Sequence, residues 1–460
     1  MADSDVTARG NWNSKLGFIL AAAGSAVGLG NMWRFPTEAA SNGGGAFLII
    51  YLICCFLIGY PVMMAEIAIG RRTDKNPVGA FKALSSNKLY PLIGMWGVLC
   101  GVMILSFYTV IAGWTVSYVF EEIFFFAGMT EWAAWIADTS NGWLNALFAI
   151  AFMSCTISII RSGVSDGIEK ATKILMPLLF VVLFLLIGYV ITQPGSGEGL
   201  AVYLQPDFSE ITTGLVFAAM GQAFFSLSLG MGALITYGSY LSRKENIPQA
   251  AGLVTLVDTL VAFLAGLLII PAMYMAQAQG ISIFDAAGDL VAGPALIFQV
   301  LPSLFHDLGG ILGLIVGVTF FLLLSVAALT STISLLEVPV SYTIDEFKVK
   351  RKDAALYVGL GILAISLFVS FDTSWIGTLD LIFSQVGLPL GGIMICLFLS
   401  YVWKTDNAFD ELELGNNNFR NSFVGKAWKI FIMIICPIVI LYNLLDGLGL
   451  IDYIASLLNM

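Results

Sequence analysis

Five ionisable side chains lie inside long apolar stretches of the sequence: Arg34, Glu66, Asp258, Glu337 and Asp380. An ionised group in hydrocarbon is costly, so each is a candidate for function. Asp258 carries the sharpest chemistry. No basic residue is near it in sequence, and a buried carboxylate must either take a proton or meet a cation. A bound sodium ion would satisfy it. Glu66 and Glu337, toward the ends of their stretches, read as hydrogen-bond acceptors for unwound backbone. The segment SVAALTSTISLLEVP supplies three adjacent hydroxyls, Thr330, Ser331 and Thr332. Hard cations take oxygen ligands, although an isolated Thr-Ser more often returns its hydrogen bond to its own helix.

Two glycine pairs stand in similar settings: Gly28-Leu29-Gly30 in AAAGSAVGLGNMWRFP, and Gly230-Met231-Gly232 in GQAFFSLSLGMGALITYGSYL. Glycine costs a helix about 1 kcal/mol relative to alanine. A pair beside polar residues therefore reads either as unwound backbone or as close packing of small residues between helices. Irregular backbone at membrane depth is tolerated only where protein or a water cavity covers it.

The elements that must position these residues follow from hydropathy. Of 460 residues, 58% are hydrophobic and only 11% charged, against roughly 25% charged in soluble domains. This implies one membrane-embedded unit. A spanning helix needs about 20 apolar residues. Eleven such runs occur, at about 15–38, 43–70, 91–127, 142–160, 168–192, 212–241, 248–278, 309–345, 354–371, 375–403 and 427–447. The fold expected is all-α and polytopic, with eleven transmembrane helices in a single domain over 1–460. The first run leads into GSAVGLGNMWRFP rather than a small-residue cleavage site, so it reads as a retained helix. The apolar end LGLIDYIASLLNM either extends the eleventh helix or lies at the interface.

Basic residues set the orientation. With the N-terminus in the cytoplasm, Arg71, Arg72, Lys75, Lys82, Lys88, Arg161, Lys170, Lys173, Arg243, Lys244, Lys348, Lys350, Arg351, Lys352, Lys404, Arg420, Lys426 and Lys429 all fall inside. Arg34, within the first run, is the exception. The outside loops are assigned acids instead: Glu121, Glu122, Glu131, Asp138, Glu198, Asp207, Glu210, Asp285 and Asp289. The acidic stretch DNAFDELELGNNN reads as a solvated inside loop. Short termini and small loops point to a bacterial inner (plasma) membrane.

Several function classes are excluded. The net charge is −10 and the longest basic run is Lys348–Lys352, which argues against nucleic acid. Cys54, Cys55, Cys100, Cys155, Cys396 and Cys436 lie in apolar runs without a CxxC, and read as buried small side chains, not disulfides or zinc ligands. The one histidine, His306, is placed in an outside loop, with no nucleophile–base pair and no metal-ligand cluster, so an enzyme is not expected.

The two glycine breaks fall in runs one and six. Interrupted helices at matching positions of two halves are the best sequence pointer to a transporter's central site. Runs one to five (about 15–192) and six to ten (about 212–403) would be two inverted repeats, with an additional helix at about 427–447. At this point GSAVGLGNMWRFP, NGGGAF, GQAFFSLSLGMG and ALTSTISLLE resemble the neurotransmitter:sodium symporter family, especially its bacterial amino-acid members, over about residues 9 to 404.

The resemblance implies two sodium sites. The Ala26 carbonyl, Asn31, Ser226 and Asp258, with the substrate carboxylate, would hold one. The Gly24, Val27 and Ala327 carbonyls with Thr330 and Ser331 would hold the other. Where the family often has threonine and asparagine, this chain has Ser226 and Asp258. The added fixed charge takes the place of the chloride that other members bind near the positions of Tyr51, Gln222 and Ser226, so transport is expected to be chloride-independent. The substrate carboxylate would meet the amides near Leu29 and Gly30, at a half-helix N-terminus, with the Tyr108 hydroxyl. Monoamine members carry aspartate at the position of Gly28, so an amino acid is implied. Its ammonium would meet the Ala26, Phe225 and Ser226 carbonyls and the Ser228 hydroxyl. Ile104, Tyr108, Phe225, Met231, Ser331 and Leu335 would hold a hydrophobic or aromatic side chain.

Gates follow from the same resemblance. Arg34 and Asp380 would pair outside, above Phe225 and Tyr108. Arg9 and Asp345 would pair inside, near Trp12 and Tyr240. Gly167 and Pro177 match a Gly-x9-Pro feature thought to let the fifth helix unwind, or else mark an ordinary proline kink. The mechanism implied is sodium-coupled symport by alternating access. A non-transporting receptor on the same fold and a proton-coupled transporter using Asp258 remain the competing readings. Oligomeric state is not legible.

Overall fold

The computed structural model describes residues 10–283, 296–415 and 418–451, and among these there is helix, turn and loop but no strand. Among the described residues, nine helices are long and apolar enough to cross a bilayer, and a bent pair makes a tenth span. The pair is α1 (Lys15–Ala26) and α2 (Gly30–Ser41), which meet at 55°. Then follow α3 (Gly45–Thr73), α4 (Pro91–Phe126), α5 (Gly142–Arg161) and α6 (Val164–Val190). The sixth expected run is split into α7 (Thr213–Ser226) and the short α8 (Ala233–Gly238), each below spanning length alone. The rest are α9 (Ile247–Ala278), α10 (Leu296–Leu308), α11 (Gly310–Phe347), α12 (Arg351–Phe371), α13 (Ser374–Leu412) and α14 (Phe423–Gly447). Short helices Pro77–Leu84, Thr130–Ile136 and Ser196–Leu204 connect them.

Local sequence explains the ends. Ser14, Asn141 and Asn246 cap α1, α5 and α9 by accepting hydrogen bonds from first-turn amides, which satisfies donors that have no intrahelical partner. Pro91 and Pro248 occupy first-turn positions that need no amide hydrogen. The long helices α4 and α11 make the most extensive contact in the molecule. Together with α1, α2, α7 and α9 they enclose the two breaks.

The breaks have a steric cause. Val27 ends α1 in extended backbone, at ψ 112°. Between α7 and α8, Ser228, Gly230 and Gly232 have φ of 53°, 86° and 78°, a region glycine enters without strain. A Cβ at Gly230 would collide with the Leu388 carbonyl of α13, so the backbone there touches its neighbour directly. The glycines thus serve unwound backbone and close packing at once.

Four assignments made from sequence are corrected. Glu411, expected in a solvated loop, is buried in helix Thr405–Leu412 and pairs with buried Arg71 at 2.6 Å. Glu121 and Glu122 are buried in the last turns of α4 rather than exposed in a loop. His306 lies in a helix, α10. Cys155 is exposed, while the other five cysteines are buried.

Candidate ion and substrate site

Where the breaks face each other, a cavity of about 50 Å³ remains. It is lined by Ala26, Gly30, Ile104, Tyr108, Phe225, Ser226, Ser228, Met231, Ser331 and Leu335, and also by Ser25, Gly28, Phe107 and Leu388. Leu29 adjoins it through its amide, which donates to the Tyr108 hydroxyl at 3.0 Å. Ser228 closes part of the wall by donating to the Ser25 carbonyl at 2.9 Å. Phe107 and Leu388 were missed from sequence because nothing distinguishes them from other apolar helix residues. A Cβ at Gly28 would collide with the Ser331 hydroxyl and lie 2.9 Å from that of Tyr108. No side chain fits there without displacing both.

Beside the cavity lies a wholly buried polar cluster. Asp258, on α9, accepts from Asn31 Nδ2 at 2.8 Å and from the Ser226 hydroxyl at 2.9 and 3.1 Å. The Tyr51 hydroxyl lies 3.2 Å from Ser226 and 3.5 Å from Asp258. Asn31 is fixed in turn, its Oδ1 accepting from the Gly28 amide at 3.0 Å. Among the described residues no basic side chain pairs with Asp258. Only neutral donors meet this carboxylate, and a buried charge without a counter-charge is costly. Gln222 reaches the Gly30 carbonyl at 3.3 Å.

A second oxygen cluster sits at the end of α1. The Thr330 and Ser331 hydroxyls both face the Val27 carbonyl, at 3.3 and 3.2 Å, and Thr330 also reaches the Ala327 carbonyl at 2.9 Å. Gly24 adjoins, with room for a Cβ only 3.2 Å from that of Thr330. The hydroxyls therefore serve both helices, joining α11 to the broken α1 as well as back-bonding. Gly167 lies in a widened turn at the start of α6, with Pro177 inside that helix.

Of the expected gates, Trp12 and Tyr240 meet, with ring centroids 6.2 Å apart. Arg9 lies outside the described residues. Asp345 accepts from the Asn76 amide and side chain, each at 2.9 Å. Arg34 and Asp380 make no ion pair with each other in this structure. Arg34 is 3.9 Å from Glu38 and lies 4.6 Å over the Phe225 ring, while Asp380 accepts from Gln385 at 2.9 Å. Beside Arg34 opens a vestibule of about 280 Å³, lined in part by Arg34, Glu38, Phe225 and Gln385. Glu66 accepts from the Gly230 amide at 2.7 Å, as an acceptor for unwound backbone does. Glu337 does not: it takes the Tyr240 hydroxyl at 2.7 Å and Arg351 at 2.5 Å.

A bundle of membrane-spanning helices, broken twice around a buried cavity and flanked by oxygen clusters, defines a transporter. The chain belongs to the sodium:neurotransmitter symporter family, whose profile matches residues 9–144 and 139–453. It is similar to an uncharacterized sodium-dependent transporter, YhdH, of Bacillus subtilis, at 32% identity over 96% of this chain and 98% of that one. A counterpart in Methanocaldococcus jannaschii is 33% identical over 94% and 89%. Among solved structures it is similar to MhsT in complex with L-phenylalanine, with a TM-score of 0.83 and 43% identity, covering 96% of this chain and 100% of that one. The protein is thus a sodium-dependent symporter of the membrane, not an enzyme.

Proposed function

We propose that this protein imports a hydrophobic or aromatic amino acid together with sodium, by alternating access and without chloride. The observation that carries the reading is the fully buried Asp258, met only by neutral donors and set beside an apolar cavity. Sodium held by Asp258, Ser226, Asn31 and the Ala26 carbonyl neutralises that carboxylate. A second sodium sits among the Gly24, Val27 and Ala327 carbonyls, Thr330 and Ser331. In each, oxygens replace the ion's water.

The substrate's carboxylate faces the Leu29 and Gly30 amides at the start of α2, where the helix dipole favours an anion, with the Tyr108 hydroxyl beside it. Its ammonium faces the Ala26, Phe225 and Ser226 carbonyls and the Ser228 hydroxyl. Ile104, Met231 and Leu335 take the side chain, with Phe225 and Tyr108 above it. The phenylalanine bound to the MhsT structure supports an aromatic or large apolar group. An aspartate at Gly28, which an amine substrate calls for, would displace Tyr108 and Ser331.

Inverted repeats at about 15–192 and 212–403, with the N-terminus in the cytoplasm, make the Arg34 vestibule the outer entrance. Arg34 and Asp380 close it, and Arg9, Asp345, Trp12 and Tyr240 close the inner end. Ions that favour the closed state supply the bias for the shift. The setting is the plasma membrane of a bacterium.

The chloride claim is tested by uptake into proteoliposomes with gluconate replacing chloride. The rate stays unchanged. A fall of several-fold contradicts the role given to the fixed charge of Asp258.

A further inference from the structure

Far from the central cavity, three metal-ligating side chains converge where α4 ends against α10. His306 Nε2 lies 3.2 Å from Glu121 Oε1 and 3.7 Å from Glu122 Oε2, and one ligand atom from each residue falls within 4.8 Å of the others. Glu122 is fully buried and Glu121 nearly so, at 5% exposure. Both Glu122 oxygens, Glu121 Oε2 and His306 Nε2 are buried without a hydrogen-bond partner. Unpartnered oxygens on adjacent buried carboxylates are a strong signal, because such groups are ordinarily satisfied. The surroundings hold the arrangement in place. The His306 ring stacks on Phe125 with centroids 3.4 Å apart. Gly317 of α11 leaves space for Glu122, since a Cβ there would collide with its carboxylate.

We propose that Glu121, Glu122 and His306 bind a divalent transition-metal ion, of which zinc is the best fit. One imidazole and two carboxylates suit zinc, whose bonds to nitrogen and oxygen are about 2.0–2.2 Å in a tetrahedron. Such bonds set ligand atoms roughly 3.3–3.5 Å apart, close to the 3.2 and 3.7 Å seen here. Two positive charges match the two carboxylates. The His306 side chain also borders an open cavity with Phe125 and Gly310, and a water completes the tetrahedral shell. The site ties α4, which carries Tyr108, to α10 and so to α11, which carries Ser331. It lies at the Arg34 end, because Phe298, about two turns before His306, packs against both Trp33 and Tyr118.

The test uses the full-length protein in detergent micelles with its affinity tag removed. His306 is the chain's one histidine, so its acylation by diethylpyrocarbonate, read by mass spectrometry, reports this site without any variant. Zinc slows that acylation several-fold, and unchanged acylation at millimolar zinc overturns the proposal. Competition with a fluorescent chelator then gives one zinc per chain, with affinity falling about tenfold or more in Glu122→Gln and in His306→Gln. Wild-type affinity in both variants places the ion elsewhere and also overturns it. Substituted cobalt gives ligand-field bands without a thiolate band; a thiolate band assigns the metal to exposed Cys155 instead. A His306 that merely shares a proton with the two carboxylates leaves the acylation rate indifferent to zinc.

Discussion

At the Trp12 end of the central cavity, buried directional contacts hold the helices together. Trp12 donates to the Tyr237 carbonyl at 3.0 Å, Tyr240 donates to Glu337 at 2.7 Å, and Glu337 takes Arg351 at 2.5 Å. At the Arg34 end the polar contacts are few and partly exposed. Arg34 is 26% exposed and 3.9 Å from Glu38, and it lies over Phe225, whose ring lines both a vestibule of about 280 Å³ and the central cavity. The difference teaches which end is held shut in this conformation. Breaking a buried pair leaves an unpaired charge in low dielectric, whereas exposed pairs exchange readily for water. On the alternating-access mechanism proposed above, both ends break in turn, and the Trp12 end is then the one that calls for a compensating change in bound ions.

The largest effect expected from breaking this asymmetry is at Arg351. Arg351→Gln strands the buried Glu337 and costs about 3–5 kcal/mol. Melting in detergent falls, and hydrogen exchange speeds up at residues 10–17 and 237–241, the segments that Trp12 and Tyr240 hold. Glu337→Gln is milder, because it removes the charge rather than stranding it.

Next comes the carboxylate between the two ends. Asp258→Asn removes the charge offered to sodium, worth about 1.5–3 kcal/mol for a charged contact. The sodium concentration for half-maximal binding rises by roughly ten- to a hundredfold, measured by scintillation proximity with labelled substrate. Unchanged sodium dependence would remove Asp258 from the ion site. A smaller change follows from Tyr108→Phe. The hydroxyl that the Leu29 amide donates to disappears, and the buried amide loses a partner at about 1–3 kcal/mol. Melting falls by the amount that this unpartnered amide sets, and substrate affinity drops about tenfold because the carboxylate loses the Tyr108 donor. The smallest effect is at the open end. Asp380→Asn alters equilibrium substrate affinity by no more than about 1 kcal/mol, and its signature is faster substrate dissociation.

Much of this comparison was legible in the sequence, for a physical reason. In an apolar chain, every glycine pair, hydroxyl pair and lone carboxylate is an exception that must be accounted for. The break at Gly28–Gly30, the hydroxyls of Thr330 and Ser331, and Asp258 therefore stood out, and the structure has Gly28, Gly30 and Ser331 line one cavity, with Asp258 and Thr330 in the polar clusters next to it. What stayed hidden depends on partners distant in sequence. Glu337 looked like Glu66, yet its partners are Tyr240 and Arg351 and not backbone. Glu411 looked solvated until Arg71, 340 residues away, was placed against it. The run at about 91–127 matches α4, but acids near the end of a span read as solvated, so Glu121 and Glu122 were assigned to a loop, and His306 joined them because α10 is too short to register as a spanning run. Arg34 and Asp380 carry no sign in the sequence of which conformation is populated.

The most direct test of the whole account is uptake of radiolabelled leucine, tryptophan and phenylalanine into proteoliposomes, with an inward gradient of sodium, potassium or protons. The account predicts accumulation driven by sodium alone, with these substrates competing against one another. Accumulation driven by protons without sodium would contradict it and make Asp258 a proton carrier. Sodium-dependent binding with no accumulation would make the protein a receptor on a transporter fold.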